Sequence, residues 1–398
     1  MNHRLLARRM AEVPASFIRE ILKVTEQPGI ISFAGGLPNA ALFPLQALRL
    51  ATESVLRAEG PSALQYSTSE GHAGLREWIA ERYRQRFGLR IPMEQILITN
   101  GSQQALDLLG KVLLDPGDPL LLEAPGYLGA IQAFSLYQPR FVPLPLGEAG
   151  PQPDQLRAAL VQWSPKLFYA VPNFQNPSGI SYSEARRHEL ADCLRGNPCL
   201  LIEDDPYGEL RYQGTEASSF MQLLPEQTLL LGSFSKTVAP AFRLGWIVSP
   251  PWLMEKLVIA KQSADLHSSG FTQRVLHRYL YDNDFDDHLQ RLIERYGAQQ
   301  RAMLDAIARH FPATVKHTRP QGGMFIWASL PPAASAMALL HEALDHQVAF
   351  VPGHPFYIGA ADSHELRLNF TNADEPTIER GIERLGAVMA HAPACVTE

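Results

Sequence analysis

Cysteine is scarce in this chain. Three occur in 398 residues, Cys193, Cys199 and Cys395, with neither the paired spacing of a zinc site nor that of a redox motif, and an odd number cannot all pair. A disulfide-stapled secreted scaffold is excluded, and a reducing, cytoplasmic compartment is the simpler expectation. Long apolar runs are missing as well. Charge, glycine or proline breaks each stretch well before the roughly 20 residues that a membrane-spanning helix needs. The opening MNHRLLARRM is not followed by the apolar segment and small-residue cleavage site of a secretory signal. Positive charge is in deficit, with 35 Lys and Arg against 41 Asp and Glu and a formal net charge of −6. That balance offers no field to gather nucleic acid or an anionic membrane, so neither is expected as a partner. Internal repeats and low-complexity tracts are lacking too. What remains is an ordinary globular composition, 46% hydrophobic and 19% charged, long enough for a large domain and a smaller one, with small molecules as the expected partners.

The chemistry is most concentrated in GSFSKTVAPAFRLGW, Gly232 to Trp246. Apolar runs on either side, TLLL (228–231) and LGWIV (244–248), read as buried strands, so the polar residues between them sit at a sheet edge. Ser233, Ser235 and Arg243 offer hydroxyl donors and a planar guanidinium, which suit a phosphate dianion. Lys236 offers an amine that condenses with an aldehyde when its surroundings favour the neutral form. Phosphate and aldehyde in one ligand describe pyridoxal 5'-phosphate. The pattern SxSKxxxPxxRxG, carried by Ser233, Ser235, Lys236, Pro240, Arg243 and Gly245, resembles the lysine motif of fold-type I pyridoxal-phosphate aminotransferases of class I/II. The seven-residue step from Lys236 to Arg243 is similar to that of the kynurenine/2-aminoadipate branch rather than the longer step of aspartate aminotransferases.

Earlier in the chain, SFIREILKV (16–24) has helical apolar spacing that ends at Pro28-Gly29. In ISFAGGLPN, Gly35 and Gly36 read either as a turn or as a close approach to a ligand. Together these segments resemble the N-terminal arm of 2-aminoadipate and kynurenine aminotransferases. The resemblance implies Gly36 beside the substrate and Arg19 paired with the distal carboxylate of an acidic donor; the residues alone leave Arg19 a solvated helix-face charge. QYSTSEG (65–71) precedes an amphipathic helix with Leu75, Trp78, Ile79, Tyr83 and Phe87 on one stripe and a stop at Gly88. Tyr66 reads as a half-buried aromatic. By resemblance it reaches the phosphate bound in the neighbouring subunit, which implies a homodimer with shared sites.

QILIT (95–99) reads as a strand and NGSQQALDLLGKVLL as a helix from Gly101, so Ser102 and Gln103 lie at a helix N-terminus suited to an anion. Ordinary capping is the other reading, and the resemblance implies phosphate. PLLLE (119–123) reads as a strand whose exit turn presents Tyr127, a core aromatic or, by resemblance, the ring stacked on the cofactor pyridine. Prolines and glycines between Phe141 and Pro153 read as a loop. KLFYAVP (166–172) and CLLIEDDPYGEL (199–210) are apolar strands with polar exits. At those exits the resemblance makes Asn176 and Tyr207 partners of the cofactor's phenolic oxygen, with Asn176 also beside the substrate, and makes Asp204 the partner of the pyridinium N–H. Turn-forming roles fit Asn176 and Asp204 equally when the residues are read alone. Helices fill 251–281 and 284–310, and MFIWA (324–328) and VAFV (348–351) read as strands. HELRLNF alternates, with Leu366, Leu368 and Phe370 on one face and Arg367 and Asn369 on the other. Arg367 is an edge-strand charge or, by resemblance, the clamp on the substrate α-carboxylate.

Alternating strands and helices from about Gln65 to Tyr281 imply an α/β large domain with a mostly parallel sheet. The expected division is an arm and part of the small domain at 1–45, the large cofactor domain at 46–283 and a small α+β domain at 284–398. The implied activity is ping-pong transfer of an amino group from an L-amino acid to a 2-oxo acid such as 2-oxoglutarate, with Lys236 moving the proton, Asp204 keeping the ring nitrogen protonated and Tyr127 fixing the ring plane. A lyase or decarboxylase on the same fold is the competing enzyme class. A MocR-type ligand-sensing domain is the competing non-enzyme, disfavoured because the arm motif begins by Ser16 with no winged-helix segment ahead of it.

Overall fold

The apolar runs that flank the lysine lie side by side in one sheet. The computed structural model describes residues 5–11 and 29–391. Its strands, in chain order, are β1 (Ile31–Ser32), β2 (Ile96–Thr99), β3 (Pro119–Ala124), β4 (Arg140–Gly147), β5 (Gly150–Pro151), β6 (Leu167–Ala170), β7 (Leu200–Asp204), β8 (Thr228–Ser233), β9 (Gly245–Val248), β10 (Lys316–His317), β11 (Phe325–Ser329), β12 (Val348–Ala349), β13 (Val351–Pro352) and β14 (Glu365–Asn369). The large sheet has eight strands in the order β2-β9-β8-β7-β6-β3-β4-β5. Strands β8, β7, β6, β3 and β4 are parallel, β9 runs antiparallel to both its neighbours, and β5 closes a hairpin on β4.

Parallel strands are covered on both faces and must be apolar throughout. Accordingly β6 and β8 are buried at every position. Alternate residues feed two core layers. Leu120, Leu122, Leu167, Tyr169 and Ile202 pack with the helix Gly101–Leu113 on one face, and Leu121, Phe168, Ala170 and Leu201 pack with the helices Pro153–Trp163 and Glu184–Leu194 on the other. Helices on both faces leave the carboxyl ends of the parallel strands as the open rim, where such sheets bind ligands.

The segment read as a loop from Phe141 is instead β4. Val142 and Leu144 turn inward and Pro143 and Pro145 outward. Along 140–145 the strand pairs only with β3, so the N–H groups the prolines lack break no ladder bond.

Beyond the 26-residue helix Phe285–His310, a second, antiparallel sheet has the order β10-β11-β14-β13, with Arg367 of β14 paired to Trp327 and Val351. VAFV, read as one strand, divides. Its first half, β12, pairs in parallel with β1, while β13 joins β14. The chain around Phe33 is thereby tied to the small sheet, since Phe33 N–H donates to Ala349 O and Asn369 N–H donates to Phe33 O. Gly36 is carried to the rim of the large sheet. Among the described residues, no helix is long and apolar enough to cross a membrane.

Candidate active site

At the rim, a cavity of about 470 Å³ is lined by Gly36, Ser102, Gln103, Tyr127, Asn176, Asp204, Tyr207, Ser233, Ser235, Lys236, Arg243 and Arg367. These residues come from seven separate stretches of sequence. A groove of about 1090 Å³ lies elsewhere, around Arg211 and Arg319, but it holds no lysine and none of the residues singled out from the sequence.

Lys236 follows the end of β8 in a turn, and its Nζ donates to Gly36 O at 2.8 Å. Burial, with the positive charges of Arg367 and Arg243, lowers its pKa from 10.5 to about 8. A substantial share of the amine is therefore neutral and nucleophilic near physiological pH.

One end of the cavity is built for an anion. The helix Gly101–Leu113 has no side chain capping its N-terminus, because the Asn100 amide donates to Asp265. Its unpaired N–H groups and positive dipole end therefore face the cavity side at Ser102 and Gln103. Gly101 has φ +73°, and a Cβ there would lie 2.6 Å from Arg243 Nη2. Only glycine lets the guanidinium close over the helix start. A Cβ on Gly245 would be 2.7 Å from Ser102 N, which accounts for the last residue of the lysine motif. Ser235 N–H donates to Ser233 Oγ at 3.1 Å, so the two hydroxyls belong to one tight turn. Gln103 contributes less than expected as a donor, since its Nε2 is already given to Gly129 O at 2.8 Å.

The cavity wall also carries a buried carboxylate and aromatic rings. Asp204 closes β7 and is 1% exposed. Its Oδ2 accepts from Tyr169 at 2.7 Å, while Oδ1 is buried without a partner among the described residues. Burial raises its pKa to about 7 against the lowering effect of the Tyr169 bond. Asp205 differs: it accepts from Asn173 at 2.8 Å and lies 3.9 Å from Arg86, off the cavity. Tyr127 lies where a Cβ on Gly129 would be 2.5 Å from its ring, so that glycine makes room for the ring to lie along the wall. Asn176 donates to Tyr207 Oη at 3.4 Å and accepts from Arg367 at 2.7 Å. Arg367 is buried, and its Nε has no hydrogen-bond partner among the described residues.

These observations meet the needs of pyridoxal 5'-phosphate. The site offers an anion cup, an orphaned buried carboxylate oxygen, an aromatic wall and a neutralisable lysine. Tyr66, read as half-buried, is instead 80% exposed, packs edge-on against His267 and does not line this cavity. Arg19 lies outside the described residues. The sequence reading also passed over Tyr169, whose signal was a phenol inside an otherwise apolar strand, and Phe325 and Phe356, which bracket Arg367 at 4.3 and 5.2 Å and look like plain core residues in sequence.

Comparison with known proteins agrees with this geometry. Residues 30–385 match the family described as aminotransferase class I and II. The chain is 43% identical over 381 residues to a 2-aminoadipate transaminase of Thermus thermophilus, covering 95% of this chain and 94% of that protein. It is 41% identical over 377 residues to aromatic-amino-acid aminotransferase 1 of Thermococcus litoralis, covering 93% and 90%. Among solved structures, an α-aminoadipate aminotransferase of Thermus thermophilus complexed with N-(5'-phosphopyridoxyl)-L-leucine aligns with a TM-score of 0.90 at 42% identity over 97% of each chain. With the lysine, the anion cup and the unpaired carboxylate gathered at one rim, the chain belongs to the class I and II aminotransferases of fold type I, enzymes whose cofactor is pyridoxal 5'-phosphate.

Proposed function

We propose that the cavity around Lys236 carries out this enzyme's transfer of an amino group from an L-amino acid to a 2-oxo acid, with the following division of labour. Lys236 holds the cofactor and, once free, takes the α-proton from the donor and returns it one position along. Its lowered pKa supports that role, because a base must be neutral to accept a proton. The bound cofactor supplies a cationic ring that takes up the electrons left at Cα. Asp204 Oδ1 keeps a proton on the ring nitrogen, and the single observation that carries this reading is that this oxygen is buried, unpartnered among the described residues and in the same cavity as Lys236 and Arg367.

Ser102, Gln103, Ser233, Ser235 and Arg243 hold the phosphate, mainly through the uncapped helix end and the guanidinium. Tyr127 covers one ring face, and Asn176 and Tyr207 give hydrogen bonds to the phenolic oxygen. Arg367 orients the α-carboxylate of the substrate beside Gly36. Tyr66 serves the phosphate of a second copy of the chain in a homodimer, a reading supported by its exposure. Donor preference falls between acidic side chains such as 2-aminoadipate or glutamate, which Arg19 would pair, and aromatic or aliphatic ones, which Phe325 and Phe356 favour. Cys193 and Cys199, unpaired among the described residues, support a cytoplasmic setting.

The deciding experiment incubates the holoenzyme with a panel of amino acids and 2-oxoglutarate. Glutamate should form in step with the donor's 2-oxo acid. Release of ammonia or carbon dioxide without glutamate would mean a lyase or decarboxylase instead.

A further inference from the structure

We propose that Tyr169 is a positioning residue for the cofactor: its phenol fixes the Asp204 carboxylate so that the shared proton sits on the ring nitrogen rather than on the carboxylate. This rests on the role given to Asp204 above and goes beyond it by naming what keeps that carboxylate in its working state.

Tyr169 lies in β6, next to β7, in register with Ile202, two residues before Asp204. It is 0% exposed. Its ring packs edge-on against Phe134 at 6.1 Å, which fixes the direction of the hydroxyl, and the 2.7 Å bond to Oδ2 is the one hydrogen bond that the Asp204 side chain makes among the described residues. The carboxylate thus has one oxygen tied back into the sheet and one facing the cavity. Its rotation about the Cβ–Cγ bond is stopped, and Oδ1 is held where a ring N–H can reach it.

The electrostatic consequence follows from the same bond. A carboxylate and a pyridine nitrogen that share one proton leave it on whichever is more basic. Burial makes a carboxylate more basic, and a donated hydrogen bond makes it less so. The phenol therefore tips the shared proton toward the nitrogen. It does not relay that proton, because burial and the Asp204 charge raise its own pKa well above the ordinary value, so it remains a donor across the working pH range. A purely structural role would need only the ring.

The test is Tyr169→Phe, which keeps the ring and removes one oxygen, studied as holoenzyme reconstituted with cofactor labelled with nitrogen-15 in the ring. Near pH 7 the ring-nitrogen resonance of the wild type should sit at the protonated position. In Tyr169→Phe it should move toward the unprotonated position, and kcat should fall roughly ten- to hundredfold, the worth of one hydrogen bond to a charged group, with the KM of the donor little changed. A fluorinated tyrosine at 169, a stronger donor, should keep the ring nitrogen protonated to a higher pH than in the wild type, and it covers the case in which Tyr169→Phe folds poorly. Asp204→Asn is the control and should be unprotonated throughout. If Asp204→Asn loses the ring proton while the ring nitrogen of both Tyr169 replacements titrates as in the wild type, Tyr169 only packs and the proposal fails. If Asp204→Asn keeps the ring proton, the role of Asp204 is wrong and this proposal falls with it.

Discussion

Arg367 Nη1 donates to Asn176 Oδ1 at 2.7 Å although the two residues lie 191 positions apart. The bond joins β14 of the small sheet to the exit of β6 in the large one, so the expected substrate clamp and the expected cofactor contact are set against each other by one fork of the guanidinium. The second fork donates to Ala34 O at 2.7 Å, and Nε is left over among the described residues. Burial lowers the pKa of the group to about 10, which still leaves it cationic at neutral pH. It is held between two aromatic rings with little freedom to lose on binding an anion.

Arg367→Lys keeps the charge and loses the fork. Since a charge-assisted hydrogen bond is worth about 1.5–3 kcal/mol, kcat/KM for every amino donor should drop by roughly ten- to hundredfold. The loss should appear with small donors such as alanine as much as with large ones, because the α-carboxylate is common to all. A loss confined to one donor class would show that Arg367 reads the side chain instead.

The lowered pKa of Lys236 can be read in the protein freed of cofactor. Only the neutral amine attacks the cofactor aldehyde, so the rate of reconstitution should rise with pH and level off above about 8 rather than continue toward 10.5. Stopped-flow absorbance at a series of pH values follows this directly. A rate still climbing tenfold per pH unit above 9 would mean that the burial seen here does not govern the amine.

His72 gives the fold an acid limit. Its Nδ1 accepts from Leu75 N at 3.3 Å and caps the helix Ala73–Phe87, a bond only the neutral ring can make. Burial first, then His277, Arg274 and Arg76, lower its pKa to about 4, with Glu59 opposing. Because the folded pKa lies below the unfolded 6.5, the unfolded chain binds the proton more readily, and stability is lost as pH falls from about 6.5 toward 4. For a half-buried ring the loss should be about 1–2 kcal/mol after allowance for solvent screening. His72→Asn retains a capping acceptor without the titration, so urea midpoints should fall less steeply over that interval. Parallel curves for the two proteins would remove His72 from the account.

Tyr66 tests whether sites are shared. Mixing Lys236→Ala subunits with Tyr66→Phe subunits should restore part of the activity, since a hybrid dimer would contain one site with both residues intact. No recovery after verified subunit exchange would leave Tyr66 a surface residue.

Much of this site was legible because its chemistry is written in local patterns. The SFSK turn, the uncapped GSQQ helix start and the polar exits of β6 and β7 each announce a strand end, and the parallel sheet brings strand ends to one rim. What could not be read depends on distance in sequence or on backbone conformation. The Tyr169 to Asp204 bond needs the β6 to β7 register, the pairing of Arg367 with Asn176 needs the small sheet to be docked, and Arg243 adopts φ +52°, which no pattern of side chains reveals. Strand β4 was hidden because prolines look like loop residues until one edge of the strand is known to be unpaired.

Attachment of the cofactor to Lys236 is open to a direct test. Reducing the holoenzyme with borohydride, digesting it and locating the pyridoxyl group by mass spectrometry should place the label on Lys236 alone, with Lys236→Ala taking up no label. A label on Lys256, or on Lys261, which the structure ties to Asp265 and Gln104, would contradict it.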